Sequence, residues 1–156
     1  MGYGHERPAR SLEHLAVKGE GIIVANNYPG IPERDRKLWR KSREFYETMS
    51  RTKSIPVVGN VLFEILVDKT QEIAPFYPRR DLSKPSLQLR QMYAGIKLGL
   101  GRHLINKLAE RPVPIITTFF FVAFMAEEFD YPGDIWCVTT DADISRAWAP
   151  MDPKKS

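Results

Sequence analysis

Cysteine is almost missing from this chain. Its 156 residues hold one, Cys137, so no internal disulfide forms and no thiolate cluster is available to a metal. That usage fits a reducing, cytoplasmic setting. Histidine is also scarce, with three in all. His14 and His103 fall in helical patterns with no carboxylate or second histidine at metal spacing, and read as ordinary helix residues. No apolar run reaches the ~20 residues of a membrane helix. The most apolar stretch, Val113 to Ala126, is broken by Pro114 and by Thr117 and Thr118. The first residues are polar and glycine-rich, unlike a signal peptide. Repeats and low-complexity runs are missing. So is the aromatic–basic interleaving of single-strand binders, which sets nucleic acid aside as a partner.

The composition that remains is globular. Hydrophobic residues make up 43% and charged residues 27%, which excludes disorder, and the length suits one domain with a real core. A formal charge of +4 suits an anionic partner: a phosphate-bearing substrate or an anionic membrane surface.

The stretch Pro112 to Asp141, PVPIITTFFFVAFMAEEFDYPGDIWCVTTD, organises the rest. Val113–Ile116 is a short apolar strand, Phe119–Phe129 a helix-length apolar block, Asp130–Gly133 a turn, and Ile135–Thr140 a second strand. Neither strand alternates apolar with polar, which predicts burial on both faces in a parallel sheet. The intervening helix supplies the crossover that parallel strands need. The expected fold is therefore α/β, an incomplete Rossmann-like open parallel sheet with flanking helices, in a single domain over 1–156. A third strand is expected at 22–26. Helices are expected from Glu6 onward, with Pro8 in the first turn, then over 33–53, 54–74 and 86–110, and a short one at 142–148. A proline-rich loop covers 75–85. Ser86 is positioned to cap the 86–110 helix, and Gly95, Gly99 and Gly101 within it mark either close helix contact, preferred because the apolar spacing continues across them, or a kink. Both ends look cut, so the chain reads as part of a longer two-domain protein.

Ligands of open α/β sheets bind beyond the carboxyl ends of the strands. Three segments are expected at that edge: the glycine turn Met1–His5, Thr117–Thr118, and Thr139–Asp141. Plainer roles compete with each. Thr118 also suits a helix N-cap, Asp141 a turn cap, and His5 a frayed terminus. Separately, the 33–53 helix is densely basic. Its Arg36, Lys37, Arg40, Lys41 and Arg43, with Arg34, Arg51 and Lys53, form either a solvated face or a surface that meets anionic lipid or phosphate.

A Gly-His turn at the first strand–helix junction, a late P-x-I-I-T-T strand, and V-T-T-D with Trp148 seven residues beyond Asp141 together resemble the N-terminal domain of GT-B glycosyltransferases. The nearest types are the monogalactosyldiacylglycerol synthases and the N-acetylglucosaminyltransferases that act on lipid-linked peptidoglycan precursors. The resemblance implies an acceptor-binding half of an enzyme that moves a sugar from a nucleotide-sugar to a hydroxyl acceptor. It implies His5 as general base and Asp141 as a second catalytic residue that orients the base or binds acceptor hydroxyls. Gly2, Gly4, Thr117, Thr118 and Thr140 would contact substrate. The nucleotide-sugar, a co-substrate rather than a cofactor, would sit mainly on a second domain, so this chain alone would not turn over. No metal is implied. One departure is Phe119-Phe120-Phe121, where the lipid-galactosylating members often carry a histidine. The competing class is a stand-alone α/β regulatory module that binds a nucleotide or phosphate at the same edge without catalysis.

Overall fold

The computed structural model describes residues 3–18, 21–52, 84–141, 144 and 146–152. Expectations for Gly2, for the 54–74 helix and for nearly all of the 75–85 loop lie outside those residues. The described chain is mixed α/β. Helix α1 (Tyr3–Ser11) leads to a single 3₁₀ turn (Glu13–Leu15), and α2 (Glu33–Thr52) follows. Then come α3 (Leu87–Lys97), α4 (Arg102–Ala109), β1 (Ile115–Thr117), α5 (Phe120–Glu128), β2 (Ile135–Cys137) and a closing 3₁₀ turn (Arg146–Trp148).

The centre is α5. Every residue from Phe121 to Ala126 is buried, as expected of a helix that is apolar all round. Helices α3 and α4 pack on it, and β1 and β2 pack beside it. Leu89, Tyr93, Ile96 and Leu100, spaced at three and four residues, supply the buried stripe facing α5. Ser86 caps α3 as its sequence position predicts, its Oγ accepting from the Leu89 N–H at 3.2 Å.

The βαβ unit forms. β1 and β2 are parallel, in the register Ile115–Ile135, Ile116–Trp136 and Thr117–Cys137. Two expectations about it are corrected. The strands are not buried on both faces: Ile115 and Ile135 face the core, while the paired Ile116 and Trp136 are 43% and 63% exposed. Cys137, expected in a buried strand, is exposed as well. The 22–26 segment is no strand. Its chain has no regular structure over 21–24 and then turns, the Asn27 N–H bonding the Val24 carbonyl at 2.8 Å. Burial of Ala25, Tyr28 and Ile31 against Leu104 of α4 and Val122 of α5 takes the place of sheet pairing.

The expected 86–110 helix is two helices. Gly99 and Gly101 adopt φ of +99° and +84°, a left-handed backbone that ends α3 and starts α4. Neighbouring residues of α2 hold the break. The Arg34 guanidinium donates to the Leu98 carbonyl at the end of α3. Buried Asp35 accepts from the Gly101 N–H at 3.3 Å, at the start of α4. A cation at a helix C-terminus and an anion at an N-terminus both complement the helix dipole. Close contact is also real at Gly101, where an added Cβ would collide with Sδ of Met125.

Candidate functional site

Parallel strands bring their carboxyl ends to one edge, and here that edge is roofed by the N-terminal helix. β1 ends at Thr117 and α5 begins at Phe120, so Thr118 and Phe119 form the step between them. Beyond β2 the ladder continues through Val138, whose N–H bonds the Thr117 carbonyl at 2.8 Å. This brings Thr140 to the same edge. His5 of α1 meets both segments. Its Nδ1 lies 2.8 Å from the Thr118 carbonyl oxygen and 3.1 Å from Oγ1 of Thr140. In return the Thr118 hydroxyl donates to the His5 carbonyl at 2.7 Å.

These contacts assign the tautomer. A carbonyl oxygen only accepts, so the neutral ring carries its proton on Nδ1, and Nε2 keeps a lone pair. Among the described residues Nε2 makes no hydrogen bond. The ring is packed as well as bonded, with Phe119 at 4.7 Å and Trp148 at 6.4 Å between ring centroids. Asp141, an exposed carboxylate, accepts from Nε1 of Trp148 at 2.9 Å. It reaches the histidine through that indole rather than by a direct hydrogen bond.

Several plainer roles are overturned. His5 is half-buried and tied down, not a frayed end. Thr118 does not cap α5; the cap position is Phe119, without a side-chain bond. It is Thr117 that serves the turn, its Oγ1 accepting from the Phe119 N–H and donating to the Phe119 carbonyl, both at 3.1 Å. Thr117 is thus buried in local bonding. The glycine turn is also corrected. α1 starts at Tyr3 rather than Glu6, so Gly4 and His5 are helical, and Pro8 sits inside the helix beyond its first turn. Gly4 is exposed, with nothing within 4 Å of a Cβ there.

Beside this edge lies a cleft of about 430 Å³ between α1, the 24–27 loop and α2. Arg36, Trp39, Arg40 and Arg43 of α2 line it, together with Val24, Asn26 and Asn27 of the loop and Glu6 of α1. Phe119 joins the two regions, its ring 4.7 Å from His5 and 6.3 Å from Trp39. Arg36 and Arg43 each meet a glutamate of their own helix, at 3.8 Å to Glu33 and 3.5 Å to Glu47. Such exposed pairs hold their partners weakly. Lys37 and Lys41, grouped with Arg36 and Arg40 as one basic face, do not line the cleft. Sequence reasoning missed Asn26, Asn27 and Trp39, and counted Arg43 only within the general basic face. The 36–39–40–43 spacing of one helix face was the available signal.

Away from the cleft, the Tyr28 hydroxyl is 3.0 Å from Nδ1 of His103. Burial, and then the charge of Asp35, push its pKa up to about 12. Beneath Trp148, buried Arg146 donates to the carbonyls of Ala149 at 2.6 Å and Met151 at 3.5 Å. Burial pulls its pKa below the usual arginine value. Among the described residues no three His, Cys, Asp or Glu side chains gather as a metal would need.

The fold and site define a mixed α/β protein with a tautomer-fixed histidine on the carboxyl edge of a parallel βαβ unit. No protein-family model matches the chain, and no curated protein or solved structure is detectably similar to it.

Proposed function

We propose that this chain is the acceptor-binding half of a GT-B-type glycosyltransferase, which moves a sugar from a nucleotide-sugar onto a hydroxyl acceptor, with His5 as general base. The observation that carries the reading is the bond from His5 Nδ1–H to the Thr118 carbonyl. It leaves Nε2 as the proton acceptor and holds the ring at the edge where α/β sheets bind ligands. The acceptor oxygen attacks the anomeric carbon, the bond from that carbon to the nucleotide diphosphate breaks, and the acceptor proton passes to Nε2. The Thr118 carbonyl then stabilises the imidazolium, because a hydrogen bond from a charged donor is stronger. Asp141 acts through Trp148 as a positioning residue. Gly2 and Gly4 are not assigned to substrate in this reading. A second, Rossmann-like domain would hold the donor.

The test is transfer from a panel of nucleotide-sugars by the chain joined to its donor-binding domain. A positioned general base contributes about 10²–10⁴ in rate, so His5→Ala should lower turnover by that factor and leave donor affinity nearly unchanged. His5→Gln should not restore it, since an amide has no basic nitrogen. Retention of more than about half the turnover, far inside the loss expected of a base, would remove His5 from that role. A regulatory module that binds phosphate without catalysis is the second reading, favoured by the arginine-lined cleft; it predicts no transfer with any donor.

A further inference from the structure

We infer that the cleft between α1, the 24–27 loop and α2 seats a phosphoester group on the hydroxyl-bearing ligand. The inference rests on the acceptor-site reading and gives the acceptor its chemical class. Arg36, Arg40 and Arg43 stand on successive turns of one helix face and line the same cleft. Guanidinium groups are planar forks that bind oxyanions two bonds at a time. A row of three exceeds what the two oxygens of a carboxylate can satisfy and suits the larger oxygen set of a phosphoester. Asn26 of the 24–27 loop adds a neutral amide donor to the lining.

Polarity sets the orientation. Glu6 of α1 also lines the cleft; its carboxylate repels an anion and accepts hydrogen bonds from hydroxyl groups. A phosphoester on the arginines therefore directs the hydroxyl end of the same molecule toward Glu6, and the Phe119 ring, 4.7 Å from His5 and 6.3 Å from Trp39, links the cleft to the histidine. The volume of about 430 Å³ lies in the range of small-molecule sites and holds a glycerophosphate-sized group over the Trp39 ring. A flat lipid-binding face would enlist Lys37 and Lys41 alongside the arginines. The cleft excludes both.

The 156-residue chain is titrated with glycerol 3-phosphate and, separately, mixed with phosphatidylcholine vesicles with and without phosphatidylglycerol. The variants are Arg40→Ala, Arg36→Ala with Arg43→Ala, and Lys37→Ala with Lys41→Ala, each checked for unchanged circular dichroism. At least one probe is expected to bind, with affinity falling about tenfold or more in the arginine variants, which corresponds to about 1.4 kcal/mol. The lysine pair should bind as wild type. Binding of glycerol 3-phosphate assigns a soluble phosphoester, and binding of the anionic vesicles alone assigns a lipid headgroup. The inference is overturned if neither probe binds, or if the lysine and arginine changes weaken binding equally, as a diffuse field would. Arginine-dependent binding without sugar transfer by the chain joined to a donor-binding domain would sink the transferase reading and leave this site standing. His5-dependent transfer to an uncharged acceptor, with no phosphoester binding, would do the opposite.

Discussion

His5 and Thr118 are 113 positions apart in sequence, yet each bonds the other's carbonyl. The pair joins the two segments twice, each side chain bonded to the other's backbone carbonyl. Thr140 adds a third point, so the imidazole is held at once from the segments that follow β1 and β2. Tyr28 offers a second residue with a checkable chemistry. Its phenol is buried, and its pKa rises to about 12 from 10.0. A raised folded-state pKa contributes stability that is full below the unfolded value and is lost as pH rises through the folded one. Unfolding stability should therefore decline between about pH 10 and 12. Tyr28→Phe should flatten that decline, as measured by urea midpoints across the interval. An identical decline in wild type and variant would exclude Tyr28 as its source.

Gly95 and Gly101 look alike in the sequence and should behave oppositely. Gly101 has φ of +84° and lies against Met125, which is fully buried. Gly101→Ala should cost about 2–3 kcal/mol through left-handed strain and overpacking. Gly95 lies inside α3, and a Cβ there would come no closer than 3.9 Å to Leu100. Gly95→Ala should stabilise by up to about 1 kcal/mol, since alanine loses less backbone freedom on folding. Chemical denaturation of both variants reads the two signs; a shared sign would show that one backbone environment has been misassigned. The apolar spacing in 89–108 marked the buried stripe correctly but could not reveal the break, because the stripe keeps its period across it. What breaks the helix is the conjunction of two left-handed glycines with Arg34 and Asp35, and that conjunction is tertiary. The 120–128 helix was legible because an element apolar on all sides has only one place to go.

Across the whole chain, legibility followed the same division. The parallel pairing of 113–116 with 135–140 was readable from strand composition and crossover length, although the observed strands cover only three residues each. The meeting of His5, Thr118 and Thr140 was readable as a shared sheet edge, but the helical setting of His5 was not, since two early glycines suggest a turn. The cleft escaped because its walls come from three segments, and a linear charge count merges lysines with arginines that the helix separates. Among the described residues no strand pairs with 22–26: apolar β-branched residues favour an extended chain, but a ladder also needs a neighbour.

The three tryptophans sit in unlike places, and this gives the molecule its own optical labels. Trp136 is 63% exposed, Trp39 faces the cleft, and Trp148 is buried with its ring 6.4 Å from that of His5. An imidazole so near an indole quenches its emission. His5→Gln should therefore brighten Trp148 while leaving the other two labels unchanged. Emission unaltered by His5→Gln would mean that the two rings do not stay neighbours in solution. The aromatic wall of the site thus doubles as a gauge of the ring it encloses.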